Sequence, residues 1–117
     1  MNFISKTLIA SSIALSLGLS AATSAQECEL PNSPIIPDGN VASMDELLAA
    51  KEAFTAYQSN IEVYRDCLIT KESEIDAESE TAQAEKDAIL ELDGASVDKL
   101  KSVGDEFNKA VRAFKAR

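Results

Sequence analysis

Apolar residues fall on a seven-residue beat through the middle of the chain. Leu47, Phe54, Ile61 and Leu68 share one phase, and Ala50, Tyr57 and Tyr64 share another three places on. That spacing stacks both sets on one face of an α-helix. No Gly or Pro interrupts the stretch from Val41 to Asp93. Ser43-Met-Asp-Glu46 has the form of a capping box: Ser43 accepts from the Glu46 amide while Glu46 reaches back. The pattern therefore predicts a helix from Met44 to about residue 76. Beyond Leu68 the stripe fades. Residues 72–87 are rich in Glu, Asp, Ser and Thr, and Ile75 is their only large apolar group.

A second stripe runs Ile89, Leu92, Val97, Leu100, Val103, Phe107, Ala110, Val111 and Phe114. It predicts a helix over about 81–115. Arg112, Lys115 and Arg117 suit its C-terminal, negative end. Two stripes separated by a polar patch predict an all-α fold, an antiparallel helical hairpin over 44–117 with its turn near Asp76–Thr81. One long helix over 44–92, or a coiled coil between chains, would satisfy the first stripe alone. Two stripes of similar length in one small chain favour self-pairing. An intermolecular bundle stays open, since two helices bury only one side of each stripe. Gly94 and Gly104 sit inside the second helix, each costing about 1 kcal/mol relative to Ala, and Gly94 is a place where that helix could divide.

The chain starts differently. Lys6 precedes a mostly apolar run over residues 7–22, and Thr23-Ser24-Ala25 then offers small residues ahead of polar Gln26-Glu27. This is the pattern of a secretory signal peptide, residues 1–25. The apolar run is shorter than the roughly 20 residues a membrane span needs. No Cys follows the cleavage point directly, which argues against a lipoprotein. The expected product is exported, to the periplasm or the cell exterior, and leaves the membrane once the signal is cleaved.

Residues 26–43 then form a Pro-rich arm. Pro31, Pro34 and Pro37 recur every third residue, the turn repeat of polyproline II, so they share one edge. Asp38-Gly39-Asn40 predicts a turn into the first helix. Cys28 and Cys67 are the only cysteines, and an exported protein meets an oxidising compartment. A bridge between them is the only intramolecular pairing, and reach permits it. Met44 to Cys67 spans about 35 Å of helix, and Cys28 to Pro37 about 28 Å of polyproline II. The extended arm can run back along the first helix and be pinned by the disulfide near its far end. Prolines three apart in polyproline II are about 9.3 Å apart. Residues seven apart on a helix are about 10.5 Å apart. The two rulers nearly match, so Pro31 is expected near Tyr64 or Ile61 and Pro34 near Tyr57 or Phe54, the prolines stacking between the tyrosines with the phenol hydroxyls left wet.

This spacing resembles a family of uncharacterised exported proteins of Gram-negative bacteria. The residues that carry the likeness are Cys28, Pro31, Pro34, Ile36-Pro37-Asp38-Gly39, Tyr57, Tyr64, Cys67-Leu68, Phe107-Asn108 and Phe114-Lys115. Phe114 stands where the family pattern has Tyr, and the acidic 70–90 region lies outside the match. The resemblance implies no activity. It favours a second helix running unbroken through Gly94.

Composition narrows the function classes. The formal net charge is −9, and all 20 acidic residues lie beyond the signal. That balance argues against nucleic acid and anionic lipid as partners. With no His, the commonest general base and metal ligand is missing. Two Cys are too few for a structural zinc site. The bridge lacks the CxxC spacing and positive surroundings of a redox-active pair. No catalytic, cofactor or metal residues are assigned, and an enzyme is not expected. The leading expectation is a structural or interaction protein, its partner unknown or a homo-oligomer. The alternative is an acidic module for cations or cationic ligands, through Glu72, Glu74, Asp76, Glu78 and Glu80.

Overall fold

The computed structural model describes residues 27–117. Two helices, α1 (Met44–Ser73) and α2 (Ala82–Lys115), pack against each other as an antiparallel hairpin. The arm, residues 27–43, precedes them without regular secondary structure up to its turn. The signal peptide expected over 1–25 lies outside the described residues.

The capping box forms at the head of α1. Glu46 N–H donates to Ser43 Oγ at 3.1 Å, and Ser43 N–H donates to the Glu46 carboxylate at 2.7 Å. The helix ends at Ser73 rather than at 76. Here Asp76 competes for the backbone: Glu78 N–H donates to its side chain at 3.0 Å and Ser79 N–H to its carbonyl at 3.0 Å. Ser79 then takes the Thr81 amide on its hydroxyl and the Ala82 amide on its carbonyl. Side chains of this kind offer the chain an alternative to the helix. All φ values in the described chain are negative, so the reversal needs no glycine.

α2 is continuous through Gly94. Its seam differs in part from the expected stripe. Val103 and Ala110 are buried and Leu100, Phe107 and Phe114 half-buried, but Leu92 and Val97 are exposed. Ser96, at 1% exposure, takes the interior place beside them. Its hydroxyl donates to its own helix, at the Asp93 carbonyl, 2.7 Å away. A satisfied small hydroxyl buries at little cost. The true phase of α2 is Ala82, Ile89, Ser96, Val103 and Ala110, again seven apart. A parallel line through Asp93, Leu100, Phe107 and Phe114 completes the seam.

The core is thin and has two parts. Ala42, Leu47 and Ala110 form one cluster, and Tyr57, Ile61 and Val103 the other. Ile36 of the arm packs against both. Phe54 and Phe107 stack across the seam with ring centroids 6.2 Å apart. Further along, Arg65 holds Asp93 with two bonds, Nε–Oδ1 at 2.6 Å and Nη2–Oδ2 at 3.2 Å. The pair is partly exposed, so it fixes helix register more than it adds stability.

Two glycines have opposite surroundings. A Cβ built on Gly39 would overlap the backbone carbonyl of Ala110, whereas one on Gly94 meets nothing within 4 Å. Gly94→Ala is expected to raise stability by about 1 kcal/mol. Gly39→Ala is expected to lower it by about 2 kcal/mol, because backbone must move to admit the methyl group. Chemical denaturation of both variants checks the pair, and equal effects would contradict this account.

Candidate functional site

The chemistry-bearing residues lie where the arm meets the hairpin. Cys28 and Cys67 are disulfide-bonded, with Cα atoms 5.6 Å apart. No free cysteine remains among the described residues. The bridge ties the start of the arm to the last two turns of α1. The other end of the arm is tied by its turn. Asp38 Oδ1 accepts from the Asn40 backbone and side chain, each at 2.9 Å, and the Val41 and Ala42 amides donate to its carbonyl. Those Asn40 bonds hold the Asp38 carboxyl below its usual pKa. The far end of α2 closes on the same turn. Arg117 Nη1 donates to the Ala42 carbonyl at 2.5 Å and reaches the Gly39 carbonyl at 3.5 Å, and its guanidinium lies 5.0 Å from the Phe114 ring centre.

Between these anchors the arm lies along the hairpin. Cys28, Pro31, Pro34 and Pro37 are all half-buried, every third residue, while Ile35 is 94% exposed. Ser33 and Ile36 are half-buried as well, so the three prolines are partly covered without forming the sole inward edge. Tyr57 and Tyr64, the expected seats, are buried at 3% and 5% exposure. Ile36 anchors the arm on this core, packed against the Tyr57–Ile61–Val103 cluster. The sequence places Gly39 in a turn and Arg117 at a helix end, but it assigns neither of them its tertiary contact and gives Ile36 no place in the core. The Ile-Ile-Pro run signals an apolar contact, but nothing in the sequence says which Ile turns inward.

The hydroxyl of Tyr57 departs from expectation. It was expected to stay wet, yet it is buried without a hydrogen-bond partner. Burial pushes its pKa above the usual 10.0. The ring is carried inside by its place on the seam, and the hydroxyl goes with it.

The acidic positions offered as an alternative site do not converge. Glu74, Asp76, Glu78 and Glu80 are exposed along the reversal. Among the described residues no three acidic or thiol side chains come together as a metal would need. The concavities are surface grooves. One of about 230 Å³ lies beside the arm turn, between Ile36–Asn40 and the Glu106, Ala110 and Ala113 flank of α2. Among the described residues the groups with shifted pKa values are Asp38, Tyr57, Arg65 and Asp93, and the causes are a turn, burial and an ion pair. Structural turns, burial and ion pairs shift pKa values in this way.

No family model, curated protein or solved structure matches this chain.

Three outcomes follow. Reduction of the Cys28–Cys67 bridge, which closes a separation of 39 residues, should lower unfolding free energy by about 4 kcal/mol in the chain-entropy picture. An unchanged melting temperature after reduction would count against that role. Tyr57→Phe should raise stability by about 1 kcal/mol, since it removes an unpaired buried hydroxyl. The raised pKa of Tyr57 also sets a sign for alkaline pH. Its contribution is full below about pH 10 and is lost as pH rises through the folded-state value. Melting curves from pH 8 to 11 should therefore fall more steeply in the native protein than in Tyr57→Phe.

Proposed function

We propose that this chain is a small exported, non-enzymatic structural or interaction protein of the periplasm or cell exterior. The signal pattern over 1–25 and the Cys28–Cys67 disulfide support export to an oxidising compartment. No helix among the described residues is long and apolar enough to cross a membrane. The resemblance to exported Gram-negative proteins carried by Cys28, the Ile36–Gly39 run and Cys67-Leu68 is in keeping with this reading.

One observation carries the interaction role. The arm covers one flank of the hairpin, and the opposite flank of α2 carries a third seven-residue line: Leu90, Val97, Gly104 and Val111. Leu90 is 61% exposed and Val97 39%. The line lies next to the hairpin seam and has no counterpart on α1, where the flanking positions are Lys51, Gln58 and Arg65. An apolar heptad line beside a filled seam is a helix-docking surface.

Photo-crosslinking residues placed at Leu90 and Val97 test this in exporting cells. A discrete adduct is expected from both positions. It should be absent from Glu52, an exposed residue on the outer face of α1. No adduct above the Glu52 background would sink the interaction role.

A further inference from the structure

We infer that the occupant of this α2 line is a second copy of the same chain, its α2 running antiparallel about a two-fold axis near residues 100 and 101. The inference rests on the interaction role above and names its partner. Three features of the helix share one centre. The apolar line is symmetric: Leu90 of one protomer falls opposite Val111 of its partner, and Val97 opposite Gly104. Both pairings repeat about the same midpoint. The charge boundary, between Asp98 and Lys99, lies within a turn of the same midpoint. Residues 82–98 carry five acids against Lys86, and residues 99–117 carry six bases against Asp105 and Glu106. The helix itself, Ala82–Lys115, is centred within a turn of that point, so nearly its whole length overlaps.

Orientation follows from charge. An antiparallel pair lays each acidic half on a basic half, whereas a parallel pair stacks like on like. Charges of this kind choose partner and direction more than they set affinity. The chain's own core does not use the asymmetry, because Arg65–Asp93 is the only ion pair between the helices among the described residues.

The packing is also self-consistent. Gly104 leaves a dip beside the seam, floored by the tip of the Phe54 ring. A Cβ there would lie 3.3 Å from Phe54 Cζ. Val97 of the second copy is the side chain that fills it, a large residue set into a small one as coiled-coil seams require. On the solvent side of the line, Asp87, Gly94, Lys101, Asn108 and Lys115 follow the same period. In an antiparallel pair these positions face their own kind. Asp87 meets Lys115 twice, Gly94 meets Asn108 twice, and Lys101 meets Lys101 once at the axis. Within one helix Asp87 and Lys115 are about 42 Å apart, so any coupling between them is intermolecular.

The test uses the purified, disulfide-bonded exported protein in sedimentation equilibrium at low salt. The native chain is expected to pass from monomer to dimer as concentration rises. Val97→Asp should hold it monomeric with an unchanged helical circular dichroism spectrum. Asp87→Lys and Lys115→Asp should each weaken the dimer by roughly ten-fold, from two reversed pairs, and their combination should restore it. Lys101→Gln should tighten it. Carbodiimide should link Asp87 to Lys115. A protein that stays monomeric at every concentration overturns the inference. So does a dimer indifferent to Val97→Asp and to the charge swap. If the purified chain is monomeric while the Leu90 and Val97 adducts in cells carry a different protein, the second copy is refuted and the interaction role stands. Monomer with no adduct removes both.

Discussion

Two helices in contact share a single seam, and a single seam is little core for a chain of this length. The structure depends on a third layer, and that layer has no secondary structure of its own to hold it. The Cys28–Cys67 bridge supplies the missing constraint. An unpinned arm would keep the conformational freedom of its backbone, about 1–2 kcal/mol per residue. The contacts of Ile36 with both halves of the core would have to outweigh that loss alone. With one end fixed covalently and the other by the Asp38 turn, the arm has few conformations left to lose. Ile36 can then join the Leu47–Ala110 and Tyr57–Val103 clusters. Small exported domains commonly meet a marginal core in this way.

The same constraint explains the small residues. The arm reaches α2 at Gly39, whose Cα sits so close to the Ala110 carbonyl that no side chain fits. Ala110 is itself small, and Ala82 and Ser96 recur on its line. Large residues at those positions would hold the other elements off. Gly104 plays a parallel part on the other flank, under Phe54. Gly94 has no such contact, so its cost to the helix goes without a packing return in the isolated chain. In an antiparallel pair it lies opposite Asn108, where the absence of a side chain lets the two helices approach.

What the sequence made legible follows physical range. The start of α1 was readable because a capping box is complete within four residues. The α1 seam was readable because Leu, Phe, Ile and Tyr repeat every seven. The disulfide was readable because two cysteines leave one pairing and the lengths agree. The end of α1 was placed three residues too far. Its stop is an Asp76 and Ser79 turn, built from side-chain hydrogen bonds that composition alone does not place. The phase of α2 was partly misplaced for a different reason. Ser96 counts as polar in a pattern of apolar residues, yet its hydroxyl is satisfied within its own helix and the residue packs as a small one. The Tyr57 hydroxyl and the closure of Arg117 on Ala42 depend on contacts distant in sequence, and no local pattern encodes them.

The corrected phase of α2 bears on function. Had Leu92 and Val97 packed inside, as an apolar count predicts, α2 would have spent its apolar residues on its own hairpin. Ser96 takes the interior place instead, and Val97 is turned out beside it by one residue, about 100° of helix. A large apolar residue outside and a small polar one inside is the reverse of what stabilises an isolated hairpin. The exchange makes physical sense if the outward line has an occupant. Then Leu90, Val97 and Val111 are core residues of an assembly, and the split of charge about residue 98 gives that assembly a direction. The acidic run from Glu72 to Asp98, which forms no site within one chain, becomes the half of an interface that its own basic C-terminal half completes.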